Sequence, residues 1–597
     1  MPDSRINALS AVTASANGRR WRWRLDQEGE RLAAMIAQGH GLPDVLARVI
    51  AGRRIAFEDV PRFLDPRIRD WLPDPDTLRD MRKASARLAL AIERRERVAV
   101  FGDYDVDGAC SAALLAGFLT AQGARSRIHI PDRLTEGYGP NSEAIRMLAG
   151  EGATLLVTVD CGTTSFEPLA EAKRLGLDVV VLDHHQAAET LPDVEALVNP
   201  NRQDDLSGLG HLCAAGVVFV TLVALARTLR ERGQGAAHDL LDHLDIVALA
   251  TVADVVPLIG LNRAFVRQGL KVMGRRGRLG LRALMDAAGL NEPPAPYHLG
   301  FLLGPRINAG GRIGDAALGS RLLLTEEIGE AERIAAELNR LNLERRTVEQ
   351  AMLAAAEGEA LRQAGIDDEG APMVIVGADD WHPGIVGLVA ARLKERYRRP
   401  AFALAFQPDG LGAGSARSIS GVDLGAVVRR AVEKGLLVKG GGHAMAAGVT
   451  IEKAGLAAFT AYLAEALAGP VAEARRQDAL VIDAALTAGG ATLELFEAIE
   501  KASPFGQANP EPVFVLLNHR IAELALVGEN HLRMVLRGGD GGFIRAISFR
   551  VADTPLGQAL KKAGDAPHHI AVTLTMDRRS AKGRIEARVL DIAPAVG

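Results

Sequence analysis

Residues 98–108 read VAVFGDYDVDG, an apolar run that stops at three aspartates spaced two apart, Asp103, Asp105 and Asp107. The run reads as a buried strand. Carboxylates held this close repel and drive one another toward protonation, so the cluster is costly unless cations stand among them. Outward from it, VAVFG, SRIHI, TLLVTV, DVVVL and EALVNP alternate with the helical stretches SAALLAGFLTAQG and FEPLAEAKRLG. Apolar strands alternating with amphipathic helices mean a parallel sheet covered on both faces. The fold class expected is α/β, doubly wound.

In such a sheet the loops at the carboxyl ends of the strands gather at one edge, where ligands bind. TLLVTV ends in Asp160, DVVVL ends in Asp183, His184 and His185, and Asp254 in ATVADVV follows an apolar helical run that can reach the same edge. A single aspartate after a strand is ordinarily a helix N-cap, and Asp183 alone would read that way. Three strands ending in acid, one of them adding paired histidines, are not accounted for by capping. Carboxylate oxygens with an imidazole and no thiolate suit Mn²⁺ or Mg²⁺, a shared aspartate bridging two ions roughly 3.5 to 4 Å apart.

With 597 residues the chain is too long for one core, and roughly 100 to 200 residues per domain suggests three to five units. A composition of 48% hydrophobic and 24% charged residues is that of a globular protein. The net charge of −4 provides no global basic field, so a polyanion has to be met by local patches. Three cysteines, Cys110, Cys161 and Cys213, lack metal-type spacing and fit a reducing compartment. The N-terminus has no secretory apolar region, and no uncharged apolar stretch of about 18 residues is read along the chain, so a cytoplasmic protein outside the membrane is expected.

The predicted organisation is a helical lead-in over 1–80, an α/β domain over 81–325, a long connecting helix over 326–366, a second α/β domain over 371–468 and an all-β domain over 470–597. Beyond the hinge PFGQANPEP, Lys and Arg outnumber Asp and Glu. GPRINAGGRIG offers Arg306, Asn308 and Arg312 between glycines, and arginine forks bind phosphate bidentately. GGGH at 440–443, with Gly441, Gly442 and His443, is expected to form a nest of backbone N–H groups around a phosphate. Arg533, Arg537, Arg545 and Arg550 are candidates for phosphate contacts in the β domain, whereas Phe514, Phe543 and Phe549 sit in apolar runs and read as core. His568 and His569 read as ordinary strand or surface residues.

GDYDVDG, VDCGTT, LDHH and TVADVV resemble the four motifs of the DHH phosphoesterase superfamily. PDRLTEGYG, GPRINAGGRIG, DWHPGIVGLVAARL, GSARS, GGGHAMAAG and PFGQANPEP further resemble its bacterial single-strand-specific exonucleases, over nearly the whole chain from about residue 20. The resemblance implies one metal on Asp107, Asp160, His184 and Asp254, and another on Asp105 and Asp160 with Asp103. His185 would sit beside the scissile phosphate as a polariser or an orienter rather than a metal ligand, with Asp183, Arg306 and Asn308 also among the catalytic residues. In related pyrophosphatases a histidine occupies the place of Phe101, so one ion here would have fewer ligands. The second α/β domain is similar to DHHA1, which holds single-stranded nucleic acid, with Ser415, Arg417 and Arg133 forming a 5′-phosphate pocket. The β domain resembles an OB-fold.

The implied activity is two-metal, 5′ to 3′ hydrolysis of single-stranded DNA to 5′-mononucleotides, serving recombination and repair. A monomer working with a RecQ-type helicase and a single-strand binding protein is the implied setting. Two alternatives stay open: a phosphodiesterase for small substrates such as nanoRNA or cyclic dinucleotides, and a non-catalytic single-strand-binding scaffold like the Cdc45 relatives. Length argues against the first and the complete set of aspartates against the second.

Overall fold

A computed structural model describes residue 12 and residues 15–133, 135–235, 239–362, 370–577 and 583–595. The chain forms two compact units. One comprises Asp74–Asp254 and Val272–Gln477, the other Met1–Pro73, Val255–Lys271 and Asp478–Gly597.

In the first unit, β1 (Arg97–Gly102), β2 (Arg125–His129), β3 (Leu155–Val159), β4 (Asp178–Leu182) and β5 (Ala196–Val198) form an all-parallel sheet in the order 2-1-3-4-5. Strand order reverses between β1 and β3, which opens a crevice outside their carboxyl ends. The aspartates of both strands stand at that switch point. Helix α1 (Val106–Ala121) begins there because Asp105 caps it, accepting from the amides of Asp107 and Gly108. α1 is apolar almost all round and is correspondingly buried, packing against α2 (Ala214–Glu231) and α3 (Leu244–Ala253). Gly108 is required, because a Cβ there would lie 2.3 Å from the Asp103 carbonyl oxygen.

Helix α4 (Gly304–Ile313) carries the GPRIN residues and packs on α5 (Ile328–Arg362), a single helix of 35 residues. The far end of the predicted connecting helix, residues 363–366, lies outside the described residues. α5 also packs against α6 (Val386–Tyr397), which covers a second sheet. That sheet runs in the order β9 (Lys439–His443), β10 (Ala446–Glu452), β8 (Leu411–Arg417), β7 (Ala401–Phe406), β6 (Val374–Ala378). Only β6 and β7 are parallel. By length and composition alone, one helix among the described residues, Lys453–Gln477, could cross a membrane. Its Phe459, Leu463, Leu467 and Val471 pack into the core of this sheet.

In the second unit, β12 (Phe514–Val527), β13 (His531–Arg537), β14 (Phe543–Ser548), β16 (Arg584–Pro594) and β15 (His568–Asp577) close into a five-stranded barrel, with β11 (Ala484–Leu486) added alongside β12. Leu532, Met534, Leu536, Ile544 and Ala546 point inward, and the alternating Arg533, Arg537 and Arg545 point out. The N-terminal segment is more than a helical lead-in. Its strand Arg20–Trp23 pairs in parallel with Ala479–Ile482, and Trp21 Nε1 donates to Asp591 at 3.1 Å. Such a pairing between segments more than 450 positions apart leaves no local signature.

Candidate metal centre and phosphate pocket

The crevice gathers the sequence-predicted acids. Ligand atoms of Asp103, Asp105 and Asp160 lie within 4.8 Å of one another, as do those of Asp107, His184 and Asp254, and those of Asp160, His184 and His185. Asp160 thus belongs to both sides of the cluster. Its backbone holds φ at 62°, and Val255, directly after Asp254, is at 59°. Side-chain-bearing residues adopt this left-handed region reluctantly, and such strain concentrates at functional sites.

Each carboxylate is held differently. Asp107 accepts from the amides of Ala214 and Ala215, at 2.6 and 2.8 Å, where the amino end of α2 favours negative charge. One buried oxygen on each of Asp103 and Asp160 has no hydrogen-bond donor. His184 Nδ1 contacts the Leu212 carbonyl at 3.1 Å, which places its proton there and leaves a lone pair on Nε2. That lone pair faces Asp160 at 3.2 Å and Asp107 and Asp254 at 3.8 Å. A divalent cation between these atoms would satisfy all four groups. Burial, then the neighbouring carboxylates, raise the carboxyl groups of Asp160 and Asp103 well above their usual range and push Asp254 up to about 9. The donor set of oxygens and one imidazole fits hard divalent ions.

Asp183 differs from the others. Although burial disfavours its charge, it accepts from the Thr163, His184 and His185 amides and from His185 Nδ1 at 2.8 Å, and its carboxyl is held well below the usual range. It is an orienter of the histidine loop. Burial also opposes the charge on His185, but the bond to Asp183 wins and raises the imidazole to about 9. Asn199 and Asn201 brace the same loop through the His185 and His184 carbonyls. Sequence reasoning missed both, although NPN directly follows the fifth strand. It also missed Tyr138, whose hydroxyl lies 3.3 Å from His185 and which stands edge-on to Tyr104. Both tyrosines lie inside motifs already singled out.

Asn308 accepts from the Val106 amide at 3.2 Å and so steadies the start of α1. Gly311 lets α4 approach closely, since a Cβ there would meet the Tyr104 carbonyl oxygen at 2.4 Å. Arg306 is turned away from the acids, donating to Asn339 of α5 and to the Leu302 carbonyl. It thereby braces α4 on α5. Arg312 donates to the Gly384 carbonyl, and burial, together with the nearby Arg133, Arg345 and Arg417 charges, lowers it to about 10.

Beside the acids lies a cavity of about 480 Å³, lined by Arg133, Ser415, Arg417, Gly442, Gln407 and Gly414 among others, in the range of small-ligand sites. Arg417 donates to Ser415 Oγ at 2.8 Å, and Arg133 lies over the Tyr104 ring at 5.0 Å. Among the described residues, Arg133, Arg312 and Arg417 have no carboxylate partner. GGGH forms an edge strand, β9, not a nest, because Lys439–His443 pairs antiparallel with Ala446–Thr450. Gly442 lines the cavity, Gly441 faces open space and His443 is exposed.

On the barrel, Arg533, Arg537 and Arg545 line a groove of about 570 Å³ with Phe543. Phe514 is core, but Phe543 and Phe549 are 66% and 53% exposed, a correction to their reading as core. Phe543 takes an outward position on its half-buried strand, where alternation and not local hydrophobicity decides which ring faces out, and Phe549 lies in the turn after Ser548. His569 is buried and accepts from the Asn518 amide.

Residues 97–251 match the DHH family, N-terminal domain, residues 370–469 the DHHA1 domain, and residues 482–591 the RecJ OB domain. The chain is 37% identical over 528 residues to the single-stranded-DNA-specific exonuclease RecJ of Salmonella typhimurium, covering 86% of this chain and 90% of that protein. The crystal structure of Thermus thermophilus RecJ in complex with Mn²⁺ superposes with a TM-score of 0.78 at 30% identity, covering 97% of this chain and 80% of that one. Its complex with Mg²⁺ gives 0.73 at 29%, covering 97% and 79%. Near-complete coverage at this identity, together with the acid cluster at the sheet edge, establishes that the chain belongs to the RecJ family of the DHH phosphoesterases.

Proposed function

We propose that the protein is a single-stranded-DNA-specific 5′ to 3′ exonuclease that releases 5′-mononucleotides and serves DNA recombination and repair. The observation that carries this is a carboxylate cluster with donorless buried oxygens beside an arginine-lined cavity without counter-charges. In this reading Asp107, Asp160, His184 and Asp254 would hold one divalent cation and Asp103, Asp105 and Asp160 a second, Mn²⁺ or Mg²⁺. Bound there, the ions would supply a nucleophilic water and neutralise charge on the phosphate.

The chain's own residues do the rest. Arg133, Arg417 and Ser415 hold the 5′-terminal phosphate, which sets how far the strand enters and so which ester reaches the acids. Arg312, between that pocket and Asp105, stabilises charge gathering on phosphorus. His185 is held at Nδ1 by Asp183, which favours its charged form, and its Nε2, beside the Tyr138 hydroxyl at 3.3 Å, would polarise a phosphate oxygen. Arg533, Arg545 and the exposed Phe543 of the barrel receive the longer strand by phosphate contact and stacking. Kinship with RecJ is also the support for reading this as a monomeric cytoplasmic enzyme working with a RecQ-type helicase and a single-strand binding protein, and for the domain divisions given above.

The test uses 5′-phosphorylated single-stranded DNA labelled at either end, with wild type and Asp160→Ala, in Mn²⁺, Mg²⁺ or chelator. Mononucleotides from the 5′ end, only with metal and wild type, are expected. Binding without cleavage under every metal condition overturns the reading.

A further inference from the structure

Tyr297 and Phe301 stack on each other, centroids 5.1 Å apart at 25°, yet they are 62% and 69% exposed. Two large rings packed together in water rather than against the core are unusual, since an aromatic ring gains most by burial. They flank the start of a widened helical turn, Leu299–Leu303, a π-type segment of the kind that recurs at functional sites.

Their location is fixed by the turn between them. A Cβ at Gly300 would meet Val252 at 3.4 Å, and one at Gly304 would meet Ala253 at 3.3 Å, so this turn lies directly on the last residues before Asp254. The phosphate pocket lies by Asp103, which feels the Arg133 charge, and Arg312 lies close to Arg133 and Arg417. The aromatic pair therefore precedes the end of α4 that abuts Ala253, while Arg312 lies toward its other end. Next to Phe301, the Leu302 carbonyl accepts from Arg306, and the exposed Arg346 adds a second positive charge beside it. Neither arginine is paired with a described carboxylate. An exposed π face near the exposed Arg346 matches a nucleobase with its phosphate.

We propose that Tyr297 and Phe301 form a stacking platform for bases beyond the first nucleotide downstream of the scissile phosphate, where the strand leaves the metal centre on the Asp254 side. The proposal rests on the exonuclease reading above. It adds a subsite that a terminal dinucleotide does not reach and a longer strand does.

The experiment compares wild type, Tyr297→Ala, Phe301→Ala and Phe301→Trp on a 5′-phosphorylated dinucleotide and on a series of longer single-stranded oligonucleotides. With stacking worth about tenfold in affinity per base, the alanine variants should hydrolyse the dinucleotide at the wild-type rate. They should lose about tenfold in kcat/KM on longer strands through KM, and Phe301→Trp should restore it. In parallel, 2-aminopurine placed at successive downstream positions, with chelator present, should be quenched on binding wild type and not the alanine variants. Equal loss on dinucleotide and long strands would make the pair structural and overturn the proposal. Unchanged kinetics with unchanged 2-aminopurine fluorescence would do the same and leave the rings as a surface for a protein. Failure of wild type to cut any strand would sink the exonuclease reading itself, a separate outcome.

Discussion

The aspartate cluster makes a stability prediction that can be worked through at Asp254. Burial and the charges of Asp107 and Asp105 push this carboxyl from an ordinary 3.8 up to about 9. A group whose folded pKa is raised binds more protons folded than unfolded between the two values, so the metal-free protein loses stability as pH rises through that window. At pH 7 about three pKa units of that loss have accumulated, about 4 kcal/mol at 1.36 kcal/mol per unit. With the side chain 24% exposed, solvent screening reduces this to about 2–4 kcal/mol. Asp254→Asn keeps the shape and removes the charge. In chelator at pH 7 to 8 the variant should therefore melt several degrees above wild type, at about 2–4 °C per kcal/mol for a domain of ordinary size. The gap should close near pH 4, where the wild-type carboxyl is protonated in both states. Adding Mn²⁺ should raise the wild-type melting temperature and move the variant less. Calorimetry or dye-monitored melting across pH 4 to 9 reads all three effects. A chelated variant that melts at or below wild type at pH 8, or a gap indifferent to pH, would refute the electrostatic account of the cluster.

Three further expectations follow from separate parts of the molecule. Arg417→Ala should raise KM about tenfold or more for a 5′-phosphorylated strand and leave a 5′-hydroxyl strand little changed, because a charged hydrogen bond contributes about 1.5–3 kcal/mol; equal effects on both ends would remove Arg417 from the terminal pocket. Gly311→Ala places a methyl 2.4 Å from the Tyr104 carbonyl. It should cost about 1–3 kcal/mol of stability and displace the aspartate loop, and unchanged melting and turnover would show that α4 yields without disturbing the acids. Phe543→Ala should weaken binding of long single strands by about fivefold or more while leaving dinucleotide hydrolysis unaltered. Identical binding isotherms for variant and wild type would assign that ring no part in holding the strand.

The catalytic half of the fold was legible because its signals are local. Strand period, helix period and the residue at each strand end are all written within a few positions. Together they place Asp103, Asp105, Asp107, Asp160, His184 and His185 at one sheet edge. The same locality explains the errors. Asp183 and Asp160 both follow buried strands, and only the amides of Thr163, His184 and His185 make one an orienter, while the want of any donor leaves an oxygen of the other bare.

Arg306 and Arg312 share one helix and one motif, yet Asn339, more than thirty positions on, claims Arg306 for structure. GGGH offered a turn-like composition, and pairing with Ala446–Thr450 made it a strand. What the sequence by itself determined is the fold class and the chemical inventory of the crevice, since both rest on spacing along the chain. Only the tertiary structure decided which groups find partners, which rings stay in water, and that strand Arg20–Trp23 pairs with Ala479–Ile482. Hydrogen-bond satisfaction and exposure are set by residues far apart in the chain, 107 positions for Asp107 with Ala214 and 570 for Trp21 with Asp591.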